Sequence, residues 1–426
     1  MTVSDAENYA NDNRSLFASL KIADYQFLTI GLLGSAFALN MQIIAQGWLV
    51  YEMTSSAIKL TWVTLSFMVP QVLFALVGGV LADRFPKKPI IGWAPLINGL
   101  ATLVMAIIIL TGRVTFWDFI VMGVLNGSVL ALSMPARTAL IPEIVGEKLI
   151  FNAMAFNSAC WNLSRIIGPA AAGFIIAIFA EGDTSSSFGV GLVYIILSLL
   201  YLVSSVSVLF ISHHGAPSIR AERSPLKDTL EGLMYVINSP IVGGLILLSI
   251  LPFLFGLSIN TLLPAFSTDV LQGGPDDLGF LMTGMGFGAI LGSLVLAKMS
   301  SIRRKGYWII GTGAVWGMLI LVFAFTNSYL MSTIIIAVIG FVSAINMSMN
   351  RSVMQLQVAQ SMRGRIMSID MMSHGLMPIG ILPIGYIAET ASIQAGLFTS
   401  GLALLLLTLI FGALMPGIRR INLGFR

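Results

Sequence analysis

Cysteine, histidine and charge are all scarce in this 426-residue chain, and each scarcity removes a class of function. A single cysteine, Cys160, leaves no disulfide framework and no cysteine-based metal site, and it reads as a small packing residue. Of the three histidines, two are neighbours, His213 and His214. Neither H-E-x-x-H nor G-x-S-x-G occurs, so no convergent catalytic groups are expected, and no enzyme, cofactor or metal is read from the chain. The dipeptide Gly-Lys is also missing. Without it there is no phosphate loop of the Gly-Lys-Ser/Thr kind, and any transport must draw on a gradient.

Charged residues make up only 10% of the sequence and hydrophobic ones 57%. The mean hydropathy is +0.91, far outside the soluble range. Apolar runs long enough to cross a bilayer recur throughout, so lipid is the expected solvent for most of the chain. A net charge of +4 would suggest an anionic partner for a soluble protein. Here the position of the charges matters more, and no nucleic-acid partner is expected. The first 25 residues carry Asp5, Glu7 and Asp12 with no basic stretch, so they read as a cytoplasmic tail rather than a cleaved signal. A short surface helix is expected around Leu16, Phe17 and Leu20.

Twelve spans follow, at about 27–50, 59–82, 90–111, 117–137, 150–179, 190–212, 241–266, 278–299, 307–326, 329–350, 366–388 and 393–415. The fold class is therefore an all-α polytopic membrane protein with twelve transmembrane helices in two six-helix bundles. The expected divisions are a tail (1–26), a first bundle (27–212), a linker (213–240), a second bundle (241–416) and a second tail (417–426). Of the 23 basic residues, all but Lys59, Arg113 and Arg165 fall on one side when both termini are placed in the cytoplasm. The linker contains RSPLKDTLEGLMYVI, in which Ser224 can cap a helix and Pro225 can take its first turn. Leu226, Leu230, Leu233 and Val236 or Ile237 then form one apolar stripe, so a helix lying on the membrane surface is expected. At an offset of 214, Gly78 maps to Gly292, Arg84 to Lys298, Arg137 to Arg351 and Pro169 to Pro383, the mark of a parallel repeat. Asp83 maps to Ala297, so the second basic hinge lacks its acid.

The stretch GGVLADRFPKKPI (78–90) crowds acid and base together after a long apolar run. Its Gly79, Leu81, Ala82, Asp83, Arg84, Lys87 and Lys88 resemble the signature between spans 2 and 3 of the major facilitator superfamily, with Pro86 where that signature has a glycine. GPAAAG (168–173), with Gly168, Pro169 and Gly173, resembles the Gly-Pro signature of antiporter members, Ala172 replacing a glycine. GWLVYEMTSSA (47–57), PARTALIPEIV (135–145) and NSACWNLSRIIGPAAAGFII (157–176) are similar to the bacterial enterobactin-exporter and macrolide-efflux branch.

That resemblance implies a monomeric secondary transporter of the bacterial inner membrane, a proton-coupled exporter of a siderophore-like anion or a hydrophobic drug, with a gradient-driven importer of a small metabolite or a non-transporting membrane sensor as the alternatives. It also implies two halves that rock about a central site. The loop after span 2 then packs against the start of span 11 when the cytoplasmic side is closed, and Asp83 faces the free N–H groups near Ile366. Arg137, Arg363 and Arg365 are possible partners for Asp83, and Arg351 and Asp370 are assigned to the same inner gate.

Arg165 stands near the middle of span 5, where a lone arginine costs about 3 kcal/mol or more. Asn157, Trp161 and Arg165 recur every four residues, on one helical face. No acid sits at comparable depth in any other span. Two readings stand side by side: Arg165 meets an anionic or strongly hydrogen-bonding substrate in a watery cavity, or it ties down carbonyls freed by Pro169 or joins amides on helices 1 or 4. Helices 1, 4, 7 and 10 line the cavity in the superfamily. Asn40, Gln42, Gln46, Asn126, Asn260, Asn346 and Asn350, with His374 on span 11, are therefore the further cavity candidates. Amides of this kind also hold membrane helices together. Gly284, Gly288 and Gly292, every four residues on span 8, read as a close helix–helix contact.

Overall fold

The computed structural model describes residues 18–179, 187–216, 225–298, 304–359, 362–419 and 421. Asp5, Glu7, Asp12, Leu16, Phe17 and Ser224, all singled out above, lie outside that set. A single 3-10 turn, Ala18–Lys21, precedes the first long helix. The helices are α1 Ala23–Thr54, α2 Ala57–Arg84, α3 Lys87–Leu110, α4 Phe116–Glu147, α5 Asn152–Phe179, α6 Ser187–Leu209, the linker helix α7 Pro225–Asn238, α8 Pro240–Asp269, α9 Pro275–Lys298, α10 Lys305–Ala324, α11 Tyr329–Gln357, α12 Arg363–Ser373, α13 Met377–Thr390, α14 Ile393–Leu414 and α15 Pro416–Arg419. Eleven of them are long and apolar enough to cross a membrane, among the described residues. The twelfth span is the pair α12 and α13, parted by a 3-10 turn at His374–Leu376. No strand occurs among the described residues.

The breaks have local causes. Gly146, with φ 72°, breaks the helix one residue before α4 ends, a conformation that glycine alone adopts without strain, and α5 starts afresh beyond it. Pro378 cannot donate to the carbonyl of His374, which loosens the turn between α12 and α13. Pro252 interrupts α8 in the same way, and the chain answers with a π-turn over Pro252–Gly256, closed by Leu257 N–H donating to Pro252 O at 2.9 Å. The two irregular segments meet. Gly380 on α13 lies so close to the Leu254 carbonyl that a Cβ would overlap it.

The outward faces invert the soluble rule. On α3, Trp93, Ile97, Leu100, Val104 and Ile107 are all exposed at intervals of three and four, a stripe for lipid. The linker helix exposes Leu230, Leu233, Met234 and Ile237 in the same pattern.

By compactness the chain forms two units. The first holds the described residues up to Ala45 and those from Pro70 to the linker. The second holds Gln46–Val69 and the described residues from the linker onward. The segment Gln46–Val69, from α1 and α2, thus groups with the second unit rather than the first. Within each unit the packing repeats. In the first, α3 lies along α6, and Gly78 on α2 abuts the Ala131 carbonyl of α4. In the second, α10 lies along α14, and Gly292 on α9 abuts the Phe341 carbonyl of α11. Gly78 and Gly292 are the pair related by the sequence offset, so the internal repeat is a repeat of helix contacts.

Gly288 and Gly340 bring the backbones of α9 and α11 together, each against a carbonyl of the other helix. Gly311 on α10 faces open space. Gly288→Val is therefore expected to lower stability by about 1–3 kcal/mol through overpacking, and Gly311→Ala to leave it unchanged. Thermal melts in detergent decide between these outcomes.

Candidate functional site

The charged stretch after α2 divides into two kinds of residue. Lys87 is buried at 3% exposure, with Nζ 2.9 Å from Glu143 Oε1 on α4 and donating to the Ala216 carbonyl. Lys88 donates to the carbonyls of Leu209 (3.1 Å) and Ile211 (2.6 Å), satisfying groups that α6 leaves free at its end. Both lysines are thus committed inside the first unit. Asp83 and Arg84, at the last turn of α2, are exposed. Gly79 meets nothing within 4 Å, whereas the packing glycine is its neighbour Gly78. Arg137 is half-buried on α4.

The remaining inner-gate candidates form a network of their own in the second unit. Arg365 pairs with Glu231 of the linker helix, and Gly232 seats that helix against Arg365 and Ile369. Arg363 Nε donates to the Val358 carbonyl at 3.3 Å, closing the turn between α11 and α12. Arg351 Nε lies 3.5 Å from Asp370 Oδ2. Asp370 is 1% exposed and accepts from Ser249 Oγ at 2.6 Å. Asp370 thus supplies what sequence reasoning missed, a buried carboxylate inside a span. The signal was present: an acid seven residues inside α12, and an arginine at the inner end of the preceding span.

Most cavity candidates lie between helices. Asn126 Nδ2 donates to Gln42 Oε1 at 3.1 Å, joining α4 to α1, and both are buried. Asn40 donates to the Ala36 carbonyl of its own helix, and its Cβ touches Gly168 of α5. Asn346 donates to Ile309 O and Thr312 Oγ1 on α10, and Asn350 to Leu245 O on α8. The Oδ1 atoms of Asn126, Asn260, Asn346 and Asn350 are buried and accept nothing among the described residues. Asn260 follows the π-turn of α8 and is half-buried, as is Gln46 on α1. The 3-10 turn carries His374, whose side chain lies outside the described residues.

Arg165 behaves differently. It is the fourteenth of the 28 residues of α5, about 20 Å from either end. It is exposed, and no described residue accepts from its guanidinium. The same helix exposes Leu163, Ile167, Phe174 and Ile178 on the opposite face, about 160° away for the first two. A membrane helix with two accessible faces presents the apolar one to lipid. A bare guanidinium in hydrocarbon at that depth is costly. Asn157 and Trp161, two turns and one turn earlier, are half-buried beside it. Pro169 leaves the carbonyl of Arg165 without its helical donor, so the polar character of this face includes the backbone. Gly168 and Gly173 are buried.

A further cluster joins Gln46–Val69 to the rest of the second unit. Tyr51 OH donates to Asp269 at the end of α8, and Glu389 Oε2 accepts from Ile58 N at 3.3 Å, capping the first turn of α2. Gly47 packs on Pro264, and Gly385 on Thr61. Neither Asp269 nor Glu389 is among the residues singled out from the sequence, because each acts only on a partner far away in it.

Twelve spans, six to each half and repeated in parallel, are the architecture of a multi-pass membrane protein. The family model described as transmembrane secretion effector, MFS_3, matches residues 14–419. The chain belongs to that family of the major facilitator superfamily. Among curated relatives, enterobactin exporter EntS of Shigella boydii serotype 4 (strain Sb227) is 25% identical over 340 residues, covering 80% of this chain and 76% of its own. EntS of Escherichia coli O81 (strain ED1a) is 26% identical over 291 residues, covering 68% and 67%. Among solved structures, a bacterial homolog of the human lysosomal transporter Spinster, inward-facing and unoccupied, matches with TM-score 0.73 and 15% identity over 93% of this chain and 96% of that one. The nucleoside transporter NupG matches with TM-score 0.71 and 12% identity, over 93% and 99%. The chain is a secondary transporter of small molecules and not an enzyme.

The two halves of the charged stretch are separable. Lys87→Met is expected to cost about 1–3 kcal/mol of stability, since it removes a buried donor from two acceptors. Arg84→Ala is expected to cost nothing measurable. Chemical denaturation of the purified protein reads both.

Proposed function

We propose that the protein is a proton-coupled exporter of a small anionic, partly apolar molecule, working by alternating access in a bacterial inner membrane with both termini in the cytoplasm. The observation that carries this reading is Arg165, accessible at the mid-depth of α5 on the face away from lipid. A guanidinium placed there is paid for by recognising an anion, which it binds in a planar, two-pronged way. Trp161 adds a flat apolar surface and Asn157 an amide, a combination suited to an aromatic or amphiphilic acid. The enterobactin exporters among its relatives support export, and a siderophore-like anion as substrate class. The 23 methionines and 25 phenylalanines favour a permissive apolar surface, so hydrophobic drugs are the second reading.

Asp83 fits the inner latch of the same cycle. It is exposed at the end of α2 while its neighbours Lys87 and Lys88 are engaged, which leaves its carboxylate available to a helix N-terminus. A charged latch of this kind opens readily, because water solvates its parts when they separate.

Proteoliposomes carrying an imposed pH gradient test the function directly, with a panel of catecholates, macrolides and cationic dyes. Proton counterflow with the catecholates is the expected result. Silence across the panel from folded protein, or protons moving with the substrate, would overturn the reading. Arg165→Gln should weaken binding of the anionic substrate by about tenfold or more and Arg165→Lys by less, with melting temperature unchanged in both. A fall in stability without a fall in affinity would make Arg165 structural. Asp83→Asn should abolish most transport while substrate binding persists; normal transport would remove the latch.

A further inference from the structure

We infer that the apolar cavity where α7, α8, α14 and α15 meet binds an anionic phospholipid, one acyl chain inside it and the phosphate against Arg419. The inference does not depend on what the protein transports. The cavity has a volume of about 470 Å³ and lies wholly within the second unit. Sites for small molecules run from about 300 to 1,000 Å³, so it is large enough for a ligand. Its walls are the end of α7, the first turns of α8 and the chain from Leu414 to Ile418. No lining residue has a polar side chain. Such walls offer a polar solute nothing to bond and hold water poorly, whereas a hydrocarbon chain needs only contact.

Two exposed apolar stripes lead into it. On α14, Leu406, Leu409, Ile410 and Leu414 recur at intervals of three and four, the pattern of a lipid-facing helix. On α7 the stripe is Leu230, Leu233, Met234 and Ile237. Each stripe ends in a residue that lines the cavity: Leu414, 69% exposed, and Ile237, 71% exposed. The mouth therefore opens toward the surface that hydrocarbon covers. What enters from that side is an acyl chain.

The charge at the far end of the cavity has one sign. Arg419 follows the lining residue Ile418, and its Nη2 donates to the Ala413 carbonyl at 2.9 Å. Ala413 precedes the lining residue Leu414, so this bond lays the half-buried side chain along the rim. It uses one of the five guanidinium donors. No acid occurs in Pro416–Arg419 or in Pro240–Leu251 of α8, and Glu231 of α7 is paired with Arg365. The first turn of α8, which lines the cavity through Pro240, has no side-chain cap from Ser239, so its positive end adds to the same field.

Exposed stripe, apolar cavity and guanidinium thus follow one another in the order of acyl chain, glycerol and phosphate. An arginine grips a phosphate through parallel charged hydrogen bonds, which phosphate on a lipid can accept without leaving the membrane surface. The ligand would also complete the attachment of the linker. Glu231 and Gly232 fasten the middle of α7 to Arg365 and Ile369, while its last turn borders the cavity. A lipid seated there joins that turn to α14, and its binding should raise the stability of the second unit.

The test titrates the full-length protein, stripped of lipid in detergent, with phosphatidylglycerol, phosphatidylcholine, oleate and inorganic phosphate. Native mass spectrometry counts what is retained, and thermal melting reads the stability gained. One phosphatidylglycerol per chain should bind about fivefold more tightly than phosphatidylcholine, the worth of one basic group beside a charged headgroup, and should raise the melting temperature. Inorganic phosphate should do neither. Arg419→Gln should bring phosphatidylglycerol down to the level of phosphatidylcholine. Ile237→Glu, which sets a carboxylate at the mouth, should weaken both lipids by about tenfold. The two substitutions fall on accessible side chains, and either one carries the test if the other fails to fold. Equal retention of the two lipids by wild type, or unchanged binding in either variant, would overturn the site. Oleate bound as tightly as phosphatidylglycerol, or a lipid-free species of two chains, would overturn it too, by making the occupant a fatty acid or a second copy.

Discussion

Hydrocarbon offers no hydrogen bond, and the structure follows from that constraint. Every backbone group inside a span must be satisfied by its own helix, so the described spans are helical from end to end except where a proline removes a donor. The same demand governs side chains. Ser128, Ser164, Thr283, Thr333 and Ser352 each donate to the carbonyl four residues earlier in their own helix. Apolar side chains gain little by leaving lipid for one another, so association depends on close backbone contact. Gly78, Gly288, Gly292 and Gly340 permit that contact, each against a carbonyl of the neighbouring helix.

Exceptions to helical regularity gather in the second unit. A π-turn in α8 and a 3-10 turn between α12 and α13 abut, with a hydroxyl network of Ser258, Ser400 and the Phe255 carbonyl fastening the first to α14. Regular helices transmit force as rods, whereas such segments bend at modest cost. Asp370, buried and paired with the half-exposed Arg351, precedes the second of these turns by four residues. A buried ion pair adds little to stability by itself, because desolvation cancels most of its attraction.

Charged groups accordingly sort by what holds them. Lys87, Lys88 and Arg365 are fastened to partners within their own unit and define how loops and linker attach. Asp83, Arg84 and Arg165 are exposed. One of the second kind, Arg165, stands midway along its helix.

Much of this was legible in the order of residues alone. Span number, the parallel repeat, the linker helix starting at Pro225 and the glycine contacts all depend on local composition or periodicity, which the bilayer translates almost directly into helices. The mid-depth position of Arg165 was legible for the same reason, since rise per residue fixes depth. Partnership was not. Asn346 and Asn350, equal in sequence to any cavity amide, turn out to bind Ile309, Thr312 and Leu245. Arg351 and Asp370, each assigned to a latch, pair with one another, and Asp269 and Glu389 hold Tyr51 and Ile58 from more than two hundred residues away. Hydropathy decides whether a segment enters the membrane. Which polar group it meets there depends on the rotation and crossing of helices, and those are set only when all of them pack together.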